Sequence, residues 1–158
     1  MKALHIYAIA GLFLVATASW ASDSKPSLSA NDYAGFQAQS QVIRRDLNEG
    51  KLYSELDQKQ RGEVTAALDR IDAALQSHGN VAALPEETKL RVFNDQELVN
   101  TILTKGRDDS RLLCTRETPV GSHRPVNSCK TVAERRRDRE RSQDTMRDLQ
   151  RAPALPVN

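Results

Sequence analysis

Apolar side chains fall at Tyr33, Phe36, Ile43 and Leu47, and polar ones fill most of the positions between them. That spacing predicts an amphipathic helix over residues 30–48, capped by Ser29, with a polar gap at Ser40 and a stop at Gly50. A clearer stripe follows: Leu56, Val64, Ala67, Leu68, Ile71 and Leu75. It predicts a second helix over residues 54–77, ended by Gly79. Gly62 lies inside it, costs about 1 kcal/mol relative to alanine, and is a candidate break. Pro85 suits the first turn of a third helix, with Glu86 and Glu87 complementing its positive end and Leu90 and Phe93 facing inward. Asn94 or Asp95 then caps a fourth helix carrying Leu98, Val99, Ile102 and Leu103 and stopping near Gly106. The third and fourth helices are short and should form a tight corner, with residues 107–110 as a linker.

The pattern changes at residue 111. Leu112 and Leu113 lead into Cys114, and the stretch to Cys129 reads CTRETPVGSHRPVNSC. Folding it about Gly121-Ser122 sets Val120 opposite His123 and Cys114 opposite Cys129. Glycine accepts the positive φ that such a turn needs. Pro119 and Pro125 each remove a ladder donor, so the strands should be short and edge-like. A lone hairpin is marginal in water. A disulfide at its base would close a loop of about 15 residues, worth roughly 3 kcal/mol on the chain-entropy model. Free thiols or a shared metal are the alternatives, although a structural zinc site normally takes four ligands.

Beyond the hairpin, Thr131-Val132-Ala133-Glu134 has the form of a capping box and opens a helix over residues 132–151. Lys130 and seven arginines face five acids there, a net charge of +3. Apolar positions are few: Val132, Ala133, Met146 and Leu149. A helix this polar should project into solvent or lie on a partner. Arg135, Arg136, Arg137, Arg139 and Arg141 are the candidate binding residues, able to contact phosphates of nucleic acid, lipid A or anionic lipid. Interspersed acids, Glu134 with Arg137 and Asp138 with Arg141, favour a solvated helix instead. Met146 and Leu149 are too small an apolar face for a membrane-lying helix.

The start of the chain has a different character. Met1-Lys2 is followed by an apolar run over residues 6–18, and Ser19 and Ala21 stand at the −3 and −1 positions of a cleavage site. This is the form of a secretory signal peptide over residues 1–21. The run is short for a membrane span of about 20 residues. No cysteine lies near the cleavage site, which excludes a lipoprotein anchor. Export to an oxidising compartment favours the disulfide. The mature chain should begin at Ser22, with a disordered leader over residues 22–29, one domain over 30–151 and a flexible tail over 152–158. Within the domain the hairpin takes 111–130 and the charged helix 132–151. The expected fold class is mainly α: a small helical domain, one disulfide-closed β-hairpin and a long charged C-terminal helix.

Composition narrows the function classes. Of the 158 residues, cleavage leaves 137, enough for one small domain. The mature charge is 22 basic against 21 acidic, a net of +1. Trp20 leaves with the signal, so Tyr33, Phe36, Tyr53 and Phe93 are the mature aromatics, and the core must rest on Leu, Ile, Val and Ala. Near-zero net charge argues against a strongly electrostatic partner for the protein as a whole. His78 and His123 fall in expected turns, where exposure is the default. Adjacent Ser122 and His123 have no reason to meet in triad geometry. No Cys-x-x-Cys, phosphate loop, zinc motif or calcium loop is present. The expectation is a non-enzymatic protein without cofactor or metal.

Phe93-Asn94-Asp95-Gln96-Glu97-Leu98-Val99-Asn100, followed by Cys114, Gly121-Ser122-His123 and Cys129-Lys130-Thr131, resembles small secreted proteins of Gram-negative bacteria. The resemblance covers residues 85–141. It implies a periplasmic or extracellular location and no particular activity. Together these readings point to a protein that binds an unidentified protein partner in the cell envelope. Anionic lipid or polysaccharide at the arginine-rich helix is the alternative, and export disfavours nucleic acid.

Overall fold

The computed structural model describes residues 27–151. The expected signal peptide, most of the expected leader and the expected tail lie outside the described residues. Four helices and a two-stranded antiparallel hairpin make up the architecture, so the mainly α class with one disulfide-closed hairpin holds. Helix α1 spans Tyr33–Glu49, α2 Gln58–His78, α3 Glu86–Ser110 and α4 Val132–Arg151; strands β1 and β2 span Leu112–Glu117 and Val126–Thr131.

The first helix starts later than Ser29 would place it. Asp32 is the N-cap, its carboxylate accepting from the Gly35 N–H at 2.8 Å. Residues 28–30 precede the helix and are docked on the domain. Leu28 is 3% exposed and Ala30 is buried. Three side-chain amides hold this segment: Asn100 accepts from the Leu28 N–H at 2.6 Å, Gln39 from that of Ser29 and Gln96 from that of Ala30. A disordered leader running to residue 29 is therefore wrong at its last residues. Buried backbone amides need partners, and the amide side chains supply them.

Helix α1 ends at Gly50 as expected. Residues 52–55 form a turn, and α2 begins at Gln58 behind a capping box of Asp57 and Gln60. Arg61 fastens the connection, its guanidinium donating to the carbonyls of Leu47, Tyr53 and Leu56. Side chains pair α1 and α2 in antiparallel order, Gln37 with Asp72 and Arg44 with Asp69. Gly62 does not break α2.

The expected corner between a third and a fourth helix does not exist. Glu86 to Ser110 is one helix of 25 residues. Asp95 is not a cap but pairs with Arg70 of α2 through two hydrogen bonds. The phase of the long helix is set by Val92, Val99, Leu103 and Gly106, which are buried. Leu90 and Phe93 consequently lie outside, 64% and 52% exposed, contrary to expectation. Residues 107–110 are its last turns rather than a linker. The core gathers Phe36, Ile43, Leu47, Tyr53, Leu56, Val64, Leu68, Ile71, Leu75, Val99 and Leu103 between α1, α2 and α3.

Two glycines inside helices serve opposite ends. A Cβ at Gly106 would meet Leu56 Cδ2 at 2.5 Å and Cγ at 2.7 Å, whereas one at Gly62 meets nothing within 4 Å. Gly106 lets α3 approach the α1–α2 connection; Gly62 only weakens its helix. Gly62→Ala should therefore stabilise the protein by about 0.5–1 kcal/mol. Gly106→Ala should destabilise it by about 1–3 kcal/mol despite the gain in helix propensity, since buried Leu56 must move. Thermal unfolding of the two variants decides; a gain at Gly106 would contradict the close packing.

Candidate functional site

The hairpin forms in the register the sequence suggests. Leu112 pairs with Thr131, Cys114 with Cys129 and Glu117 with Val126. Cys114 and Cys129 are joined as a disulfide, Cα to Cα 4.0 Å, and no described cysteine is free. Gly121 turns the tip with φ of 82°. Strand alternation puts Leu112, Cys114, Arg116, Asn127, Cys129 and Thr131 on one face, and Leu113, Thr115, Ser128 and Lys130 on the other.

Strand β2 runs into α4 without a linker. Thr131 ends the strand and caps the helix: its hydroxyl accepts from the Glu134 N–H at 3.0 Å, and its own N–H donates to Glu134 at 2.7 Å. Glu134 is thereby committed to the cap, and its expected pairing with Arg137 does not occur. Asp138 with Arg141 does, at 2.5 Å.

The five candidate arginines are not equivalent. Arg137 donates to Glu55 Oε2 at 2.8 Å, and Thr131 Oγ1 donates to Glu55 Oε1 at 2.6 Å. Arg136 forks onto Asp109 of α3 at 2.9 and 3.2 Å. Arg135 donates to the Leu113 carbonyl and Thr115 Oγ1, both at 3.1 Å, while its buried Nε has no partner. Lys130 reaches Asp138 at 2.6 Å. Arg141 pairs within its own helix, and Arg139 makes no ion pair among the described residues. The root of α4 is thus tied to the α1–α2 connection, to α3 and to the hairpin. Sequence reasoning missed Glu55 and Asp109, because each partner lies far away in the chain and neither sits in a local motif.

Past Asp138 the helix is exposed on every side to Arg151, Met146 and Leu149 included. The projecting-helix expectation holds for this outer part and fails for the first two turns. His78 and His123 are exposed and lie apart in the chain, and among the described residues no three His, Cys, Asp or Glu side chains group as metal ligands. An open groove of about 430 Å³ runs beside α1, lined by Leu28, Val42, Ile43, Leu52 and Tyr53. No described helix is long and apolar enough to cross a membrane.

Hydrogen bonds from Arg137 and Thr131 hold the Glu55 carboxyl below its ordinary range, and the fork from Arg136 does the same for Asp109. Lys130 lowers Asp138. A depressed carboxyl supports the docked state above its unfolded pKa and loses that support as pH falls through the folded value. The root should accordingly hold at neutral pH and loosen below about pH 4. An NMR titration of side-chain carboxyl carbons should give low midpoints for Glu55 and Asp109. Arg136→Gln should return Asp109 towards the ordinary value and leave Glu55 low; an Asp109 midpoint unmoved by that change would contradict the pairing. No protein-family model, no curated protein and no solved structure matches this chain, so the reading of the site rests on its own geometry.

Proposed function

We propose that the chain is an exported, non-enzymatic protein that acts by binding another protein in the cell envelope. The outer half of α4, with the hairpin beside its root, is the contact surface. The observation that carries this reading is the contrast along α4. Its first two turns are fixed by paired guanidinium and carboxylate groups, and its remaining turns are exposed all round. A rigidly rooted, bare helix loses little conformational freedom when a partner lies along it. The disulfide fits the oxidising compartment that the signal peptide implies.

Anionic lipid or polysaccharide is the less favoured ligand. Arg135, Arg136 and Arg137 already spend their donors on the domain, which leaves Arg139 as the arginine of the five without an intramolecular bond, since Arg141 is held by Asp138. Along one side of the outer helix Arg139, Ser142, Met146 and Leu149 follow one another at helical spacing. Residues three and four apart are neighbours on a helix surface.

The test uses the processed, tagged protein against native envelope extract. Met146→Ser with Leu149→Ser should abolish capture of the partner and leave thermal stability within about 0.5 kcal/mol, since both side chains are exposed. Capture that survives the double change sinks the α4 surface. Capture that falls steeply with salt, through phosphate contacts, would favour the anionic ligand. The processed protein should start at Ser22 by intact mass; retention of Trp20 would contradict cleavage there.

A further inference from the structure

Cys114 and Cys129 are both exposed. Their face carries Leu112, Arg116, Asn127 and Thr131; on it only Thr131, at the base, bonds to α4, while Thr115 and Lys130 of the opposite face bond to Arg135 and Asp138. The sulfur pair lies on the exposed stretch of that face, beyond Thr131. Little else holds the strands together. Among strand residues only Thr131 is buried, with Thr115 and Ser128 half-buried. A two-stranded hairpin with its side chains in water is marginal without its cross-link, and exposed disulfides are the ones open to exchange.

We propose that the Cys114–Cys129 bridge is a site of thiol–disulfide exchange with a dithiol, and that opening it unfolds the hairpin while the helical core stays folded. A thiolate of the dithiol attacks Cys129 Sγ, the S–S bond breaks, and Cys114 leaves as a thiolate. Arg116 shares that face two residues along the strand and makes no ion pair among the described residues, so its charge favours the departing thiolate. Glu55, the carboxylate bonded to Thr131 on this face, is offset by Arg137. The second thiol of the dithiol then displaces Cys129 from the mixed disulfide. Two electrons and two protons pass to the protein, and the dithiol becomes a cyclic disulfide.

The consequence reaches α4. Arg135 is bonded to Leu113 and Thr115, and Lys130 to Asp138; these contacts depend on the paired strands. Arg136 with Asp109 and Arg137 with Glu55 do not. Opening the bridge removes the hairpin side of the helix's support and keeps the core side. This goes beyond partner binding, because it concerns the free protein and is read without a partner.

The full processed chain is treated with dithiothreitol at neutral pH without denaturant, and hydrogen exchange is followed by mass spectrometry. Both cysteines should become alkylatable. Peptides covering residues 112–131 should exchange on the order of tenfold faster or more, while those of α2 stay unchanged. Cys114→Ser with Cys129→Ser should reproduce the reduced pattern without reductant. Arg116→Gln should slow reduction severalfold at low ionic strength; an unchanged rate overturns Cys114 as the leaving sulfur. Cysteines that stay blocked, hairpin peptides that stay protected after reduction, or a core that unfolds with the hairpin would each overturn the proposal.

Discussion

Glu55 is the residue on which the C-terminal half depends. Its backbone N–H donates to Ser110 Oγ at the end of α3, one carboxylate oxygen takes the Thr131 hydroxyl, and the other takes Arg137. One residue of the α1–α2 connection therefore meets the end of α3 through its backbone, and the end of β2 and the second turn of α4 through its side chain. Its side chain is 14% exposed, and that of Asp109, the second anchor, 16%. Carboxylates so covered must be matched by hydrogen-bonded cations, since an unpaired buried charge is strongly unfavourable. The fork from Arg136 is also directional in a way a lysine could not reproduce. Apolar burial contributes little to this junction, where Ala133 is the one buried residue of α4.

The stability of the molecule thus comes in two kinds. The three-helix core rests on close packing of aliphatic side chains around α2, whose Val64, Ala67, Leu68, Ile71 and Leu75 are all buried. The hairpin and α4 are appended through a covalent bridge, a capping box and a few ion pairs. Area removed from water scales the first kind. Geometry and solvent screening scale the second. Protonation of carboxylates, salt and reduction act mainly on the appended part, and core substitutions act on the whole.

What the sequence made legible follows the same division by range. The register of the hairpin could be counted from the Gly121 turn, the Thr131–Glu134 box is a four-residue pattern, and the stripe of α2 repeats on its own phase. The features that were misread depend on distant partners. Asn94 and Asp95 look like caps, yet Asp95 spends its carboxylate on Arg70, which removes the reason for a corner. Leu90 and Phe93 seemed to set the inward face because they are the largest apolar residues there. Val92, Val99 and Gly106 set it instead, because α2 and Leu56 require that phase. Gln96 and Asn100 stand one turn apart beside the buried stripe of α3. Polar amides at the margin of an apolar face are a readable sign of extended backbone needing partners, and they place residues 28–30 inside the domain. Among the five arginines no local pattern separates those that dock from those that do not, since Glu55 and Asp109 are 82 and 27 residues from their partners.

The outer half of α4 is the part least explained by folding. Thirteen residues past Asp138 extend about 20 Å at the rise of an α-helix, and none is buried. Short isolated helices are marginal in water. This one gains from its anchored first turns, which spare it a separate nucleation step. It also gains from pairs such as Arg147 with Asp144, each worth a few tenths of a kcal/mol. The root therefore does more than position the arm, because it is also the nucleus from which the arm is helical. A change at Glu55 or Asp109, which lie outside α4 and bond only to its first two turns, would alter both the direction and the helicity of the outer surface. Coupling of this kind needs no separate pathway through the core, since the strands, the cap and the first two turns of α4 are one continuous stretch of chain.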